Sequence, residues 1–297
     1  MSTPDPSGRD VIHDIGYRHY DGPRLGRGAV WRTLLGESFA GAYGIGRTAR
    51  SKVVPLLCLA AICLPAVILS VVAAVTRADE LPVAYTSYVL NVSPLIAVFV
   101  AAQAPAVVSR DLRFGTVPLY FSRPMRRTDY VSARGAAFAG ALLALQAAPL
   151  TVLLAGAALA EMPLGEQLPG YLRGLASAAV LALLLAGIGL VLAAATPRRG
   201  LGVAAIITVL LVLSGAQGFI TAVAVEEGAR ALAGWSALLS PFTLVDGLAS
   251  GLLGAESSLP EGPPGAAGPA VFALVAVALV AACWGLLVAR YRRVAVS

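Results

Sequence analysis

Few residues of this 297-residue chain have the types and spacing that chemistry requires. Gly41-Ala-Tyr-Gly-Ile-Gly46-Arg47-Thr48 has the spacing of a phosphate-cradling loop, with arginine where such loops carry lysine. That loop works only between a buried strand and a helix of an α/β domain. Here an amphipathic stretch precedes it and a long apolar run follows, so the match is read as chance and no ATP hydrolysis is expected from this chain. Glu226, Glu227 and Arg230 fall one residue short of the EExxxR spacing of an intramembrane metalloprotease. No histidine lies in an apolar run to complete such a centre, and polar capping of a helix end is the better reading. His13 and His19 sit in a polar leader with no cysteine nearby, a poor metal site. Cys58, Cys63 and Cys283 lie inside apolar runs without metal spacing and read as small buried hydrophobes. No catalytic residue, cofactor site or metal site is therefore expected in this chain, and enzymatic function is set aside.

The chemistry that remains is that of docking. The segment Ser109–Arg134 carries six arginines (Arg110, Arg113, Arg123, Arg126, Arg127, Arg134) against two acids, Asp111 and Asp129. Leu112, Phe114, Val117, Leu119, Tyr120 and Phe121 are interleaved with them. A loop needed only to reverse the chain has no use for this charge and aromatic bulk. Apolar contact with a partner from Phe114, Leu119, Tyr120 and Phe121 is expected. Arg110, Arg113, Arg123, Arg127 and Asp129 would fix the loop's geometry or pair with acidic partner residues.

The elements that position this segment are membrane spans. Apolar residues make up 58% of the chain and charged residues 13%, against about a quarter charged in soluble domains. Uncharged runs cover 53–76, 81–109, 135–160, 174–197, 200–225 and 262–289. About 20 apolar residues cross a bilayer core, so six spanning helices are expected. A seventh run, Ala231–Val245, is short and contains Pro241, which predicts re-entrant or outer-leaflet helices between spans five and six, followed by a Pro/Gly linker at 260–268. Before the first span, Trp31, Leu34, Leu35, Phe39, Ala42 and Tyr43 fall at helical spacing and predict an amphipathic helix over 28–47 lying at the inner membrane surface. The expectation is an all-α membrane protein with two parts: a cytoplasmic segment with its interfacial helix (1–52), and a six-span domain (53–297) whose cytoplasmic loop is 109–134.

Orientation follows from the basic residues, which concentrate on the cytoplasmic side of membranes. With six spans and both termini inside, that side receives 19 of the 22 Lys and Arg, leaving only Arg77, Arg173 and Arg230 opposite. The same distribution accounts for most of the net charge of +6 without nucleic acid. No ionisable residue lies in the middle of a span, which argues against an ion-coupled transporter or proton channel. Neutral polar residues do occur there. Asn91, Ser93, Gln103, Gln146 and Gln217 are candidates for lining a pathway, and interhelical hydrogen bonding is the more economical reading. Pro94, Pro105 and Pro149 are expected to kink spans two and three. Gly187 and Gly189 predict a close helix approach without saying to which helix. One lysine, Lys52, among 22 basic residues, with abundant Ala, Gly and Pro, suggests a high-GC bacterial genome.

Ser109-Arg-Asp-Leu-Arg-Phe-Gly-Thr116, Leu119-Tyr-Phe-Ser-Arg-Pro124 and Arg127-Thr-Asp-Tyr-Val131 together resemble the cytoplasmic loop of type-two ABC transporter permeases. Ile12-His-Asp-Ile-Gly-Tyr-Arg-His-Tyr-Asp-Gly-Pro-Arg-Leu-Gly-Arg27 is similar to the leader of an actinobacterial branch of that family, and Ser240-Pro-Phe-Thr-Leu-Val245 to its segment before the last span. The resemblance implies a permease subunit of an exporter in the bacterial cell membrane, working as two protomers with two separate ATPase subunits that bind ATP and Mg. It makes 109–134 the coupling loop that contacts the ATPase, with Arg110, Asp111, Arg113, Phe114, Leu119, Tyr120, Phe121, Arg123, Arg127 and Asp129 as its coupling residues. A homodimer surrounded by membrane lipids is the expected assembly. The alternative is a membrane scaffold or sensor that recruits a cytoplasmic protein through the same loop without moving cargo.

Overall fold

The computed structural model describes residues 22, 26–113, 125–196 and 198–294, with side chains in these ranges except at 109–113, 293 and 294. Among them all regular structure is helical: α1 (Arg27–Ala42), α2 (Ala49–Thr76), α3 (Tyr85–Asn91), α4 (Ser93–Arg113), α5 (Arg127–Leu159), α6 (Leu164–Ala195), α7 (Arg199–Glu226), α8 (Arg230–Ser236), a short 3-10 turn (Ala237–Leu239), α9 (Pro241–Leu253) and α10 (Gly268–Val294). Five of these, α2, α5, α6, α7 and α10, are long and apolar enough to cross a membrane, and the bent pair α3/α4 makes a sixth. This is a multi-pass membrane protein. Helices suit that setting because each satisfies its own backbone where no water can.

The second span is broken at Val92, where α3 and α4 meet at 60°. Pro94 explains the position. It lacks the N–H that would bond the Leu90 carbonyl, and its ring is tolerated only in the first turn of the new helix. The upper piece is then tied down separately. The Tyr88 hydroxyl donates to the Ile62 carbonyl, Tyr85 to Gln167 Oε1 at 3.2 Å, and Thr86 to the Glu256 carbonyl at 3.4 Å. Pro105 and Pro149, also expected to kink their spans, lie within the continuous helices α4 and α5.

α6 is the centre of the bundle, in contact with α3, α4, α5, α7, α9 and α10. Of its most apolar stretch 61% is buried, against 17% in α7 and in α10, which therefore form the flanks. Gly187 and Gly189 are two places where α6 meets its neighbours closely. A Cβ on Gly187 would come 2.9 Å from Cys283 of α10, and one on Gly189 2.8 Å from Val100 of α4. α2 shows how a single face is buried: Cys58, Ile62, Ala66, Ser70 and Ala73 point inward, while Leu57, Ile68 and Val75 on the opposite side are exposed, as lipid-facing residues should be.

The segment between α7 and α10 forms the short helices expected of it. Ser240 is extended, Pro241 opens α9, and Phe242, Leu244, Val245 and Asp246 are buried against α6, α10 and α3.

Candidate functional site

The candidate site is the basic end of the bundle, where α4 stops, α5 begins and α10 returns. α5 is 33 residues long, about 50 Å, against a bilayer core of about 30 Å. Its first turns are polar because they extend past the apolar run, and they are held from two sides.

The first hold is α1. Arg27 makes a two-pronged ion pair with Asp129, Trp31 Nε1 donates to Ser132 Oγ at 3.0 Å, and Tyr43 donates to the Ala141 carbonyl at 2.7 Å. These contacts run in the same order along both helices, so α1 lies parallel to α5. Leu34, Ser38, Gly41 and Ala42 form its most buried face, and Trp31, Leu35, Phe39 and Tyr43 pack half-buried beside them. The small residues in that face allow the close approach. Burial pushes the Tyr43 phenol up to about 12. Asp129 also accepts the Arg126 backbone N–H at 2.9 Å, capping α5 from the third helical position.

The second hold is α10. Arg127 donates to the Arg292 carbonyl at 3.2 Å, at a helix end where cations are favoured. The Tyr130 and Tyr291 rings, both almost fully buried, meet at 5.1 Å, and the Arg134 guanidinium lies 5.3 Å over the Tyr130 ring.

Of the ten residues expected to serve docking, Arg127 and Asp129 are thus both engaged within the chain at the start of α5. Arg110, Asp111 and Arg113 form the last turns of α4, with side chains outside the described set. Phe114, Leu119, Tyr120, Phe121 and Arg123 lie outside the described residues.

The five pathway candidates are scattered. Asn91 is exposed at the break between α3 and α4. Ser93 lines a cleft of about 240 Å³ between α4, α7 and α9, with Ser214 and Phe242 across it. Gln103 is buried and faces a cavity at the basic end. Gln146 donates to the Leu142 carbonyl at 3.0 Å, and its Oε1 has no partner among the described residues. Gln217 donates to Thr221 Oγ1 at 2.8 Å, which lies 2.7 Å from Ser236 Oγ. That chain, with Ser214 and Ser240 at 3.0 Å, ties α7 to the segment of short helices that follows it. These side chains do not share one cavity.

Two features escape a sequence reading. Arg27, the partner of Asp129, lies 102 residues away, and nothing local marks it. Asp246 is buried in α9 and accepts from Ser257 Oγ at 2.8 Å and from the Ser258 N–H at 3.2 Å, pinning the following linker. Desolvation raises its carboxyl above the usual range, opposed by those hydrogen bonds.

The Gly41–Thr48 motif runs from the end of α1 through the connection to α2. Gly44 and Gly46 both have positive φ, and a Cβ on Gly44 would sit 2.6 Å from the Ser51 carbonyl oxygen. Gly44 and Gly46 serve a tight turn between the helices, whereas Gly41 belongs to α1. The Glu226–Arg230 stretch turns the chain from α7 into α8, and Arg230 lies 3.5 Å from Glu261. The chain matches no protein-family model and no curated protein.

Proposed function

We propose that this chain is the membrane-spanning permease subunit of an ABC exporter, resembling the type-two permeases. A separate ATPase, loaded with ATP and Mg, docks on the 109–134 segment of each of two protomers in a bacterial cell membrane. The observation that carries this reading is the bracing of α5 at the loop's exit. α1 and α10 grip its first turns, and the helix then runs the height of the bundle. A push delivered to the loop therefore reaches the far side through one rigid element packed on the central helix α6. Packed helices respond to such a push by shifting between discrete arrangements, which is how a docking event becomes a transport step. Export is the direction the resemblance implies.

The test is co-purification from detergent-solubilised membranes of the native host, comparing wild type with a Tyr120→Asp, Phe121→Asp variant. An ATPase recovered with wild type and lost with the variant is the expected result. No ATPase with either chain overturns the proposal and favours a scaffold that recruits another protein.

A further inference from the structure

The turn between α1 and α2, the middle of α4 and the first residue of α7 enclose a cavity of about 610 Å³ at the basic end. Arg47, Thr48, Arg50, Ser51, Gln103 and Arg199 line it. Two helices begin here, α2 after Thr48 and α7 after Arg198. Neither has a side-chain cap or an acidic residue in its first turn. Their exposed N–H groups and positive dipole ends are thus left without an anion. Arg50 and Arg199 are exposed and have no carboxylate partner among the described residues.

Gln103 faces the same cavity. It is only 5% exposed and lines this cavity, yet its side-chain amide makes no hydrogen bond among the described residues. The rest of the side chain is buried while the amide itself stays accessible, so it opens onto the cavity, where a ligand or water meets it. An amide offers both a donor and an acceptor. The depth is also informative. Arg50 and Arg199 stand at the first turn of two spans, next to the apolar residues Val53 and Leu201, at the level of lipid headgroups.

We propose that this cavity binds a phosphoryl anion, held by Arg50 and Arg199 at its rim and by the Gln103 amide at its base. The same chemistry belongs to the headgroup of an anionic phospholipid and to free phosphate. The proposal is independent of any ATPase partner.

The test uses the full chain, purified and delipidated in a neutral detergent. Binding is measured for short-chain phosphatidylglycerol, for phosphatidylcholine of equal chain length, and for sodium phosphate against sodium chloride at matched ionic strength. Wild type is expected to bind phosphatidylglycerol at least about tenfold more tightly than phosphatidylcholine. Binding of phosphatidylglycerol alone identifies a lipid site. Comparable binding of inorganic phosphate identifies a site for the free anion. Arg50→Gln with Arg199→Gln should weaken binding by about tenfold or more, and Gln103→Leu should weaken it several-fold. The control Arg32→Gln with Arg290→Gln removes the same charge elsewhere and should leave binding unchanged. Equal affinity for the two lipids without phosphate binding, unchanged binding in the Arg50/Arg199 variant, or equal loss in the control overturns the proposal.

Discussion

Trp284 of α10 lies against the bare backbone of Gly135 on α5, where a Cβ would come within 1.8 Å of the ring. Gly135→Ala therefore expels the indole and should destabilise the protein by about 1–3 kcal/mol. A lowered melting temperature reads this out, and a Trp284→Leu background should remove much of the penalty. At Asp129, two interactions share one carboxylate: the exposed pair with Arg27 and the N–H of Arg126. Asp129→Ala should lower the melting temperature more than Arg27→Ala. The Arg27→Ala effect should fade in high salt, because exposed pairs are screened and caps are not. The sequence marked Asp129 as a charged loop residue but not as an internal clasp. Composition reveals charge. It does not reveal a partner 102 residues away.

Among the elements, the spans were legible because long uncharged runs have few other uses. Their ends were not. Charge ends a run that lipid can cover, but it does not end a helix. α4 continues to Arg113, α5 begins at Arg127 rather than Gly135, and α6 begins at Leu164 and passes through Glu166 and Arg173. Much of the basic segment is thus helix. The expected kink at Pro94 is a full break, because the tyrosines of α3 anchor it to α2 and α6 independently of α4. The α1–α2 turn gives a sharper test. Gly46 has positive φ with open space around it, whereas Gly44 combines positive φ with a backbone clash. Gly46→Ala should cost about 1 kcal/mol, and Gly44→Ala clearly more, compared by melting temperature in one detergent. A phosphate loop would instead lose nucleotide binding in both.

At the scale of the whole molecule, the distribution of arginine predicts one basic end, and the first turns of α5 and α7 and the last turns of α10 carry their basic residues there. The sequence could not show that the pathway candidates are dispersed. Gln217 serves the link from α7 to α8, and Gln103 faces a different cavity. Helical periodicity places a residue on a face but does not say which face meets which neighbour. The proposed function requires that the segment between α4 and α5 receive an ATPase. The most direct measurement places a photo-crosslinkable residue at position 120 in the otherwise intact chain, in inside-out membrane vesicles of the native host. The adducts formed with and without ATP and vanadate are then identified by mass spectrometry. An adduct with a nucleotide-binding ATPase, whose yield changes when ATP is trapped, is the expected result. An adduct only with a protein that binds no nucleotide, or a label reached solely from the opposite face of the membrane, would contradict it.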